Sequence, residues 1–330
     1  MNLTLNPRSQ SALLAAALTC FGAVAHAQAP HSKATTAKKT RLAFVTNNPS
    51  DYWTICRKGT EAAAKDLGTV EVEFVMPADG TAVMQKQDVD DLLAKGVQGI
   101  AVSPVDPANE TPYLNGVAAK TNLITADSDA GASRRLCYVG TDNHAAGVMA
   151  GHLIKKALPH GGQIMLFVGI TRARNAHDRM AGIEDALRGS NVTILGVRTD
   201  DTDHARAKQN VTDTLAQYPH IAALVGLWSY NGPAIYSAVW QKGKTGKVRI
   251  IAFDEENDTL NGIRDGAIYG TITQQPYRFG YESVKMLAAL ARGHKSVIPA
   301  GRRLIIPTLA ITRGNLEAYQ ARHRKQLAGD

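Results

Sequence analysis

The amino-acid sequence predicts an α/β protein built from two doubly wound units, each a parallel sheet with helices on both faces. From Arg41 onward, short β-rich runs alternate with longer segments of helical period, a pattern that gives parallel sheets joined by crossover helices. The series of strands and helices then repeats in the second half of the chain. At 330 residues with 44% hydrophobic content, the chain is long enough for two domains with real cores.

The predicted elements follow one another in regular order. The strands are expected at Leu42–Val45, Val70–Val75, Ile100–Val102, Leu123–Thr125 and Tyr138–Val139, and then at Gln163–Val168, Val192–Val197, Ala222–Val225, Val248–Phe253 and Tyr269–Thr273. The helices between them are expected at Tyr52–Leu67, Ala82–Ala94, Ala145–Ala157, Ala176–Leu187, Ala205–Tyr218, Pro233–Lys242 and Tyr277–Ala291. Capping residues precede several helices, among them Asp142, before the helix that opens the second half.

The N-terminal residues predict export. Arg8 precedes an apolar stretch from Ala12 to Ala25, and Ala25-His26-Ala27 places small residues three and one before a cut, which is the layout of a signal peptide spanning residues 1–27. Residues 28–40 are rich in Ala, Thr, Lys and Ser and are interpreted as a flexible tether. Two alternatives are a lipid anchor at Cys20 and a retained membrane anchor, but Thr19 precedes the cysteine and the apolar run is short for a bilayer.

Charge and cysteine content exclude some functions. The net charge of +8 is mild, and the dense basic runs are confined to residues 33–41 and 322–325, where solvated tails are the simplest interpretation. Nucleic-acid binding is therefore not expected. Cys56 and Cys137 lack metal-ligand spacing, and both lie in apolar stretches. An oxidising compartment would allow a disulfide, but two buried thiols are the favoured interpretation.

Polar clusters follow most of the predicted strands. In open parallel sheets, ligands bind beyond the carboxyl ends of the strands, so a site is expected where the edges of the two units face a common cleft. The clusters are Thr46 to Asp51, Ser103 to Asp106, Asp127 to Asp129, Trp228 to Asn231, Asp254 to Asn257 and Gln274 to Pro276.

Motifs for cofactor and enzyme chemistry are absent from the sequence. No G-x-G-x-x-G follows the first strand, and Gly243-Lys244-Thr245 follows a helix and has Ala238 in place of the first glycine of a phosphate loop. Zinc-protease helices and G-x-S-x-G elbows are also missing. Hydrolysis by two of the carboxylates Asp127, Asp129 and Asp254 stays open, but no enzyme activity, cofactor or metal is predicted.

The clusters do match a polyhydroxylated ligand. Sugar hydroxyls both donate and accept hydrogen bonds, so their sites need carboxylates, amides, cationic donors and an aromatic face. The candidates are Asp127, Asp129, Asp254, Asn48, Asn231, Gln274, His177, Arg179, Tyr52, Trp53 and Trp228. Each also has a structural interpretation: Asn48 as turn chemistry, Trp53 and Trp228 as packing residues, and Arg179 as part of a solvated cluster.

Five segments, in order, resemble the ribose-binding-protein-like solute-binding proteins of bacterial ABC transporters. They are Val45-Thr46-Asn47-Asn48-Pro49 with Tyr52-Trp53, Ile124-Thr125-Ala126-Asp127, Val139 to Gly147, Ile251-Ala252-Phe253-Asp254 and Gly270 to Pro276. The resemblance implies two lobes joined by three crossing segments that close on a ligand like a hinge. It places the lobes at 41–141 plus 275–303 and at 142–274 plus 304–330, with crossings near Thr141–Asp142, Gln274–Gln275 and Arg303–Leu304.

The resemblance also implies the ligand contacts and the partners. The contacts transfer to Asn48, Tyr52, Trp53, Asp127, His177, Tyr230 or Asn231, Asp254 and Gln274. Ribose binders typically have Arg where this chain has Ser128 and His177, and one extra residue follows Pro49. A different pentose, a hexose, a sugar alcohol or a cyclitol therefore stays open.

The implied role is that of a monomeric periplasmic protein that delivers its ligand to the transmembrane subunits of an ABC permease. A ligand sensor for a membrane receptor is the alternative. A sugar-responsive repressor would need a DNA-binding motif where this chain has a predicted signal peptide and tether.

Overall fold

A computed structural model of the protein describes residues 39–50 and 52–328. The predicted signal peptide, Cys20 and all but the end of the predicted tether lie outside these residues. The described chain folds around two six-stranded sheets, and the two predicted α/β units are confirmed.

The first sheet is entirely parallel and contains one strand from late in the chain. Its strand order is β11-β5-β4-β3-β1-β2. The strands are β1 (Thr40–Val45), β2 (Val70–Val75), β3 (Gly99–Val102), β4 (Asn122–Ala126), β5 (Tyr138–Gly140) and β11 (Arg303–Ile305). Its helices are α1 (Tyr52–Leu67), α2 (Ala82–Ala94), α3 (Pro107–Ala118) and α9 (Pro276–Ala291).

The second sheet has the order β12-β10-β9-β8-β6-β7. Its strands are β6 (Gly162–Val168), β7 (Val192–Thr199), β8 (Ala223–Gly226), β9 (Arg249–Phe253), β10 (Gly270–Thr273) and β12 (Leu309–Thr312). All pairs are parallel except β12, which runs antiparallel to β10 at the edge of the sheet. The helices are α4 (Asn143–Ala157), α5 (Arg174–Leu187), α6 (His204–Gln217), α7 (Asn231–Gln241), α8 (Asn257–Arg264) and α10 (Leu316–Ala328).

Local chemistry explains where several helices begin. The Asp142 carboxylate accepts a hydrogen bond from the Ala145 backbone amide at 3.0 Å, as expected of the predicted cap. Thr81 and Asp203 cap α2 and α6 in the same way.

Parallel strands are covered on both faces, and all four residues of β3 and of β8 are buried. Cys56 and Cys137 are buried and free, so the prediction of two buried thiols is confirmed.

The chain crosses between the sheets three times. The first two crossings lie after β5 and after β10. The predicted third crossing near Arg303–Leu304 comes too early, because Arg303–Ile305 pairs with Tyr138–Gly140 in the first sheet. The Ile306 amide also bonds to the Gly140 carbonyl. The chain therefore crosses between Ile306 and Leu309, and β11 belongs to lobe one.

In residues 39–50 and 52–328, no helix combines the length and apolar character needed to span a bilayer. The same part of the chain holds no group of three or more potential metal-ligating side chains.

Candidate ligand-binding site

The carboxyl ends of strands from both sheets meet at a buried polar cavity. Lobe one contributes Asn47, Asn48, Ser50, Tyr52, Trp53 and Asp127 to its lining. Lobe two contributes Asn175, Arg179, Trp228, Ser229, Tyr230 and Asp254, and the second crossing contributes Gln274. The cavity volume is about 20 Å³, far below the roughly 300 Å³ or more of a usual small-molecule site. The two lobes therefore leave little free space between them at this point.

Asp127 anchors the lobe-one wall of the cavity. It follows β4 and accepts hydrogen bonds from Tyr52 Oη at 3.3 Å and Ser103 Oγ at 3.1 Å. A third bond comes from lobe two, where Asn175 Nδ2 lies 3.2 Å from Asp127 Oδ2. Burial raises the pKa of Asp127 to about 6, although the Arg179 charge opposes this shift. Asp127 therefore joins the two lobes directly.

Asp254 is the corresponding carboxylate of lobe two. It follows β9, and its Oδ1 accepts a bond from Gln274 Nε2 at 3.0 Å. Thr271 Oγ1 donates to the Asp254 backbone carbonyl at 2.7 Å, which fixes the strand exit. Burial raises the pKa of Asp254, again opposed by Arg179. Each sheet thus contributes one buried carboxylate to the same small space.

Arg179 supplies the positive charge between the two carboxylates. It is only 1% exposed, and its Nε and Nη1 donate to Asn143 Oδ1 at 3.0 Å and to the Leu227 carbonyl at 2.6 Å. Its guanidinium lies 4.5 Å over the Phe253 ring. Nη2 has no hydrogen-bond partner among the described residues. The solvated-cluster interpretation therefore does not hold for Arg179.

A glycine in α4 allows this placement. A Cβ on Gly147 would lie 2.2 Å from the Arg179 carbonyl oxygen, so only glycine lets α5 approach α4 this closely. The Ala146-Gly147 pair of the sequence resemblance thus has a physical role: it sets the depth at which Arg179 enters the cavity.

Aromatic side chains flank the cavity on both lobes. Tyr52 and Trp53 meet edge to face with ring centroids 4.9 Å apart, and Trp228 lies against Tyr230 at 6.4 Å. Trp53 also packs against Phe44 in the lobe-one core, so it is both a core residue and a wall of the cavity. Such faces suit the C–H side of a sugar ring.

Several polar atoms around the cavity have no partner among the described residues. The acceptors are Asn48 Oδ1 and Gln274 Oε1, and the donors are Arg179 Nη2, Trp53 Nε1 and Trp228 Nε1. The other amide atoms of Asn48 and Gln274 are engaged, with Asn47 and Asp254. Because buried polar groups are normally satisfied, these atoms mark the positions where a ligand that both donates and accepts would bind.

Three predicted site residues lie outside the cavity lining. Asp129 is bound by Arg135 and by Thr125 Oγ1 at 2.7 Å. The His177 side chain is 67% exposed, beside Asp178, because its position on α5 faces away from the cleft. Asn231 is buried, but its Oδ1 accepts from the Trp228 amide and its Nδ2 donates to Asp200.

Tyr230, the alternative to Asn231, does line the cavity. Its hydroxyl donates to Asp200 Oδ1, while its ring stacks on His204 with centroids 4.5 Å apart. Asp200 therefore holds both predicted strand-exit residues in place. Burial raises the pKa of Asp200 to about 6.

The structure adds residues that the sequence reasoning did not select. Asn175 lies two positions before His177, at the start of α5, and reaches Asp127 across the cleft. Because the helix was predicted to begin at Ala176, Asn175 fell outside it. The sequence therefore did not indicate that the Asn175 side chain faces the cleft. Asn47, Ser50 and Ser229 also line the cavity. They belong to strand-end clusters that the sequence did identify.

Comparison with known proteins identifies the family and relatives of the chain. A family model described as "periplasmic binding protein domain" matches residues 42–295. The D-allose-binding periplasmic protein of Escherichia coli is 26% identical over 265 residues, covering 77% of this chain and 84% of the relative. The ribose import binding protein of Salmonella typhimurium is 24% identical over 265 residues, covering 79% and 87%.

Solved structures share the fold at similar identity. An ABC transporter solute-binding protein from Burkholderia graminis, in complex with D-arabinose, is 28% identical with a TM-score of 0.80, covering 86% of this chain and 98% of that one. A glucose-galactose binding protein from Geobacillus stearothermophilus is 28% identical with a TM-score of 0.79, covering 84% and 99%.

Proposed function

The chain belongs to the periplasmic binding protein family, and on that premise we propose that it captures a sugar or sugar-like polyol between its lobes and delivers it to the permease of an ABC importer. The relatives are named as sugar-binding and import-binding proteins rather than as enzymes. That naming supports a binding role in the periplasm.

One observation carries the proposal. Asp127 and Asp254, from different sheets, converge with Arg179 on one buried cavity, around which several further polar atoms have no partner among the described residues. Two carboxylates can accept from neighbouring hydroxyls, while the guanidinium can donate to a ring or hydroxyl oxygen. A ligand with several adjacent hydroxyls satisfies this set, whereas an apolar ligand would leave it unsatisfied.

Because the ligand contacts come from both lobes, binding would be coupled to closure. A ligand held by Asp127 on lobe one and by Asp254 and Arg179 on lobe two makes its full set of contacts only when the lobes are close. It therefore selects the closed state by its differential affinity. The transporter would then recognise the closed protein by the relative position of the two lobes.

A binding screen tests the proposal. The chain from Gln28, refolded after denaturation to remove carried-over ligand, is heated with single pentoses, hexoses, polyols and cyclitols. At about 1,000 times its Kd, a ligand adds roughly 4 kcal/mol, a rise in Tm of about 10 °C. A clear rise with one class supports the proposal, and no rise with any class would refute it.

Asp254→Asn tests the site itself. The change removes a hydroxyl-accepting carboxylate but keeps its shape, so we expect sugar affinity to fall at least 100-fold while the ligand-free protein stays folded. His177→Ala is the matched control and should leave affinity unchanged, because His177 does not line the cavity. Calorimetry with undiminished affinity in Asp254→Asn would contradict the assignment.

A second candidate role is ligand sensing for a membrane receptor. One solved neighbour, 26% identical with a TM-score of 0.77, is a complex of XylFII with LytSN. Reconstitution separates the two roles: sugar-dependent stimulation of a permease ATPase supports delivery, whereas sugar-dependent binding to a receptor domain alone supports sensing.

A further inference from the structure

A larger groove adjoins the sugar cavity. It has a volume of about 470 Å³ and shares Tyr52, Ser229 and Asp254 with the cavity. Helix α1 forms its lobe-one wall, and the loop from β9 into α8 forms most of its lobe-two wall. A ring bound at Asp254 would therefore be able to extend a substituent into this groove.

The groove is strongly acidic. Asp254, Glu255, Glu256 and Asp258 line it, and Lys58 is the lysine among its lining residues. His323 also lines the groove, and burial lowers its pKa, which favours the neutral ring near pH 7. Several carboxyl groups lining one partly enclosed groove favour a cationic group there.

The fold accounts for two of these carboxylates but not for Glu255. Glu256 and Asp258 lie at the N-terminal turn of α8, where acidic side chains offset the helix dipole. Glu255 precedes that turn, is only 5% exposed, and its Oε2 has no hydrogen-bond partner among the described residues. No ion pair involves Glu255 within residues 39–50 and 52–328.

Glu255 borders open space on two sides. It lies between the groove and a cavity of about 150 Å³ that is also lined by Tyr319 and Arg322. An unpaired buried carboxyl is unfavourable unless a cation or donor satisfies it. Burial and the neighbouring Asp254 raise the pKa of Glu255, as expected where no permanent counter-charge is present.

We propose that this groove is a second subsite of the ligand site and that it binds the ammonium group of an amino sugar, with the Glu255 carboxylate as its counter-charge. The proposal rests on the proposed sugar-binding function and specifies its substrate class. An ammonium group provides three donors and a full charge, and it would satisfy the unpartnered Glu255 oxygen.

Matched sugar pairs test the proposal. Affinities at pH 7 are measured by calorimetry for D-glucose, D-galactose and D-mannose against their 2-amino-2-deoxy forms and against the N-acetylated amines. We expect at least one amine to bind 10-fold or more tightly than both its hydroxyl parent and its N-acetyl form, which lacks the charge. Amines no tighter than their parents would overturn the subsite while leaving the sugar-binding proposal intact.

Two variants locate the effect. Glu255→Gln should reduce the preference for the amine to about 2-fold or less and leave affinity for the neutral sugar unchanged. Asp258→Asn removes an exposed carboxylate of the same groove and should keep at least half of the preference. An unchanged preference in Glu255→Gln would overturn the assignment. Binding of neither sugars nor amines would refute both proposals.

Discussion

Asp127 and Asp254 share an unusual backbone conformation, with φ angles of 62° and 67°. This left-handed region is disfavoured for most residues but tolerated by Asp and Asn. It turns each chain sharply at the strand exit, so the carboxylate lies over the sheet edge and faces the cleft. Asn is therefore the suitable substitution at both positions, because Ala would combine loss of the carboxylate with added backbone strain.

Asp127 should make the stability of the ligand-free protein depend on pH. Its pKa rises from 3.8 to about 6 in the folded state, so the folded protein holds more protons than the unfolded chain between these values. Its contribution to stability is then full below about pH 4 and is lost as the pH rises through about 6. The dependence is up to about 1.4 kcal/mol per pH unit.

The measurement is the free energy of unfolding in urea from pH 4 to 7. We expect the free energy of unfolding of Asp127→Asn to decrease less steeply with rising pH than that of the native protein. The remaining dependence would come from groups such as Asp200, whose pKa is also raised to about 6. Equal slopes in the two proteins would contradict the raised pKa of Asp127.

Two loops connect the lobes beside the site. Val105, in the loop between β3 and α3 of lobe one, is 2% exposed and belongs to an apolar cluster formed mainly by lobe two, including Ile170 and Ala173. Next to it, Asp106 Oδ2 lies 3.1 Å from Arg172 Nε. These contacts join the two lobes outside the cavity, because neither Val105 nor Arg172 lines it.

Val105→Ala should weaken ligand binding indirectly. Truncating a buried valine costs roughly 1–2 kcal/mol, and where the contact exists only in the closed state this corresponds to a rise in Kd of about 5- to 30-fold. The higher Kd should result from faster ligand dissociation, measured by stopped flow. Val117→Ala, inside the lobe-one core, is the control and should lower the Tm without changing Kd.

The elements show which sequence signals were sufficient. The β-rich runs that predicted the sheets, such as Val70–Val75, coincide with observed strands. Helix α3 was missed because Pro107 and Pro112 interrupt its pattern, and α8 because it has only 8 residues. Strands β11 and β12 are short edge strands whose pairing depends on distant partners.

The site was predictable where it depended on strand ends. Asp127, Asp254 and Gln274 follow buried strands, and all three line the cavity. The predicted side-chain directions of Asn175 and His177 depended on the exact start of α5, because residues two positions apart lie on different faces of a helix. Asp129 is bound by Arg135, and only the folded chain shows that these two side chains lie side by side.

At the scale of the whole molecule, the cavity and the segments that cross between the lobes share residues. Gln274 lies at the second crossing and bonds to Asp254, so a ligand that contacted Gln274 would also contact a crossing segment. The adjacent Gln275 donates from Nε2 to the Pro307 carbonyl at 2.7 Å, which ties the second crossing to the third. Under the proposed closure of the lobes, these two segments would therefore rotate together.

Pro307→Gly should weaken binding by changing the hinge alone. Proline fixes its own φ angle and limits the conformations of the open protein, whereas glycine adds backbone freedom that closure must remove, at a cost of about 0.4–1 kcal/mol. We expect Kd to rise about 2- to 5-fold, and small-angle scattering should show a larger decrease in radius of gyration on adding ligand. Pro219→Gly, in the loop before β8, is the control, and an equal loss of affinity in both variants would contradict a hinge role for Pro307.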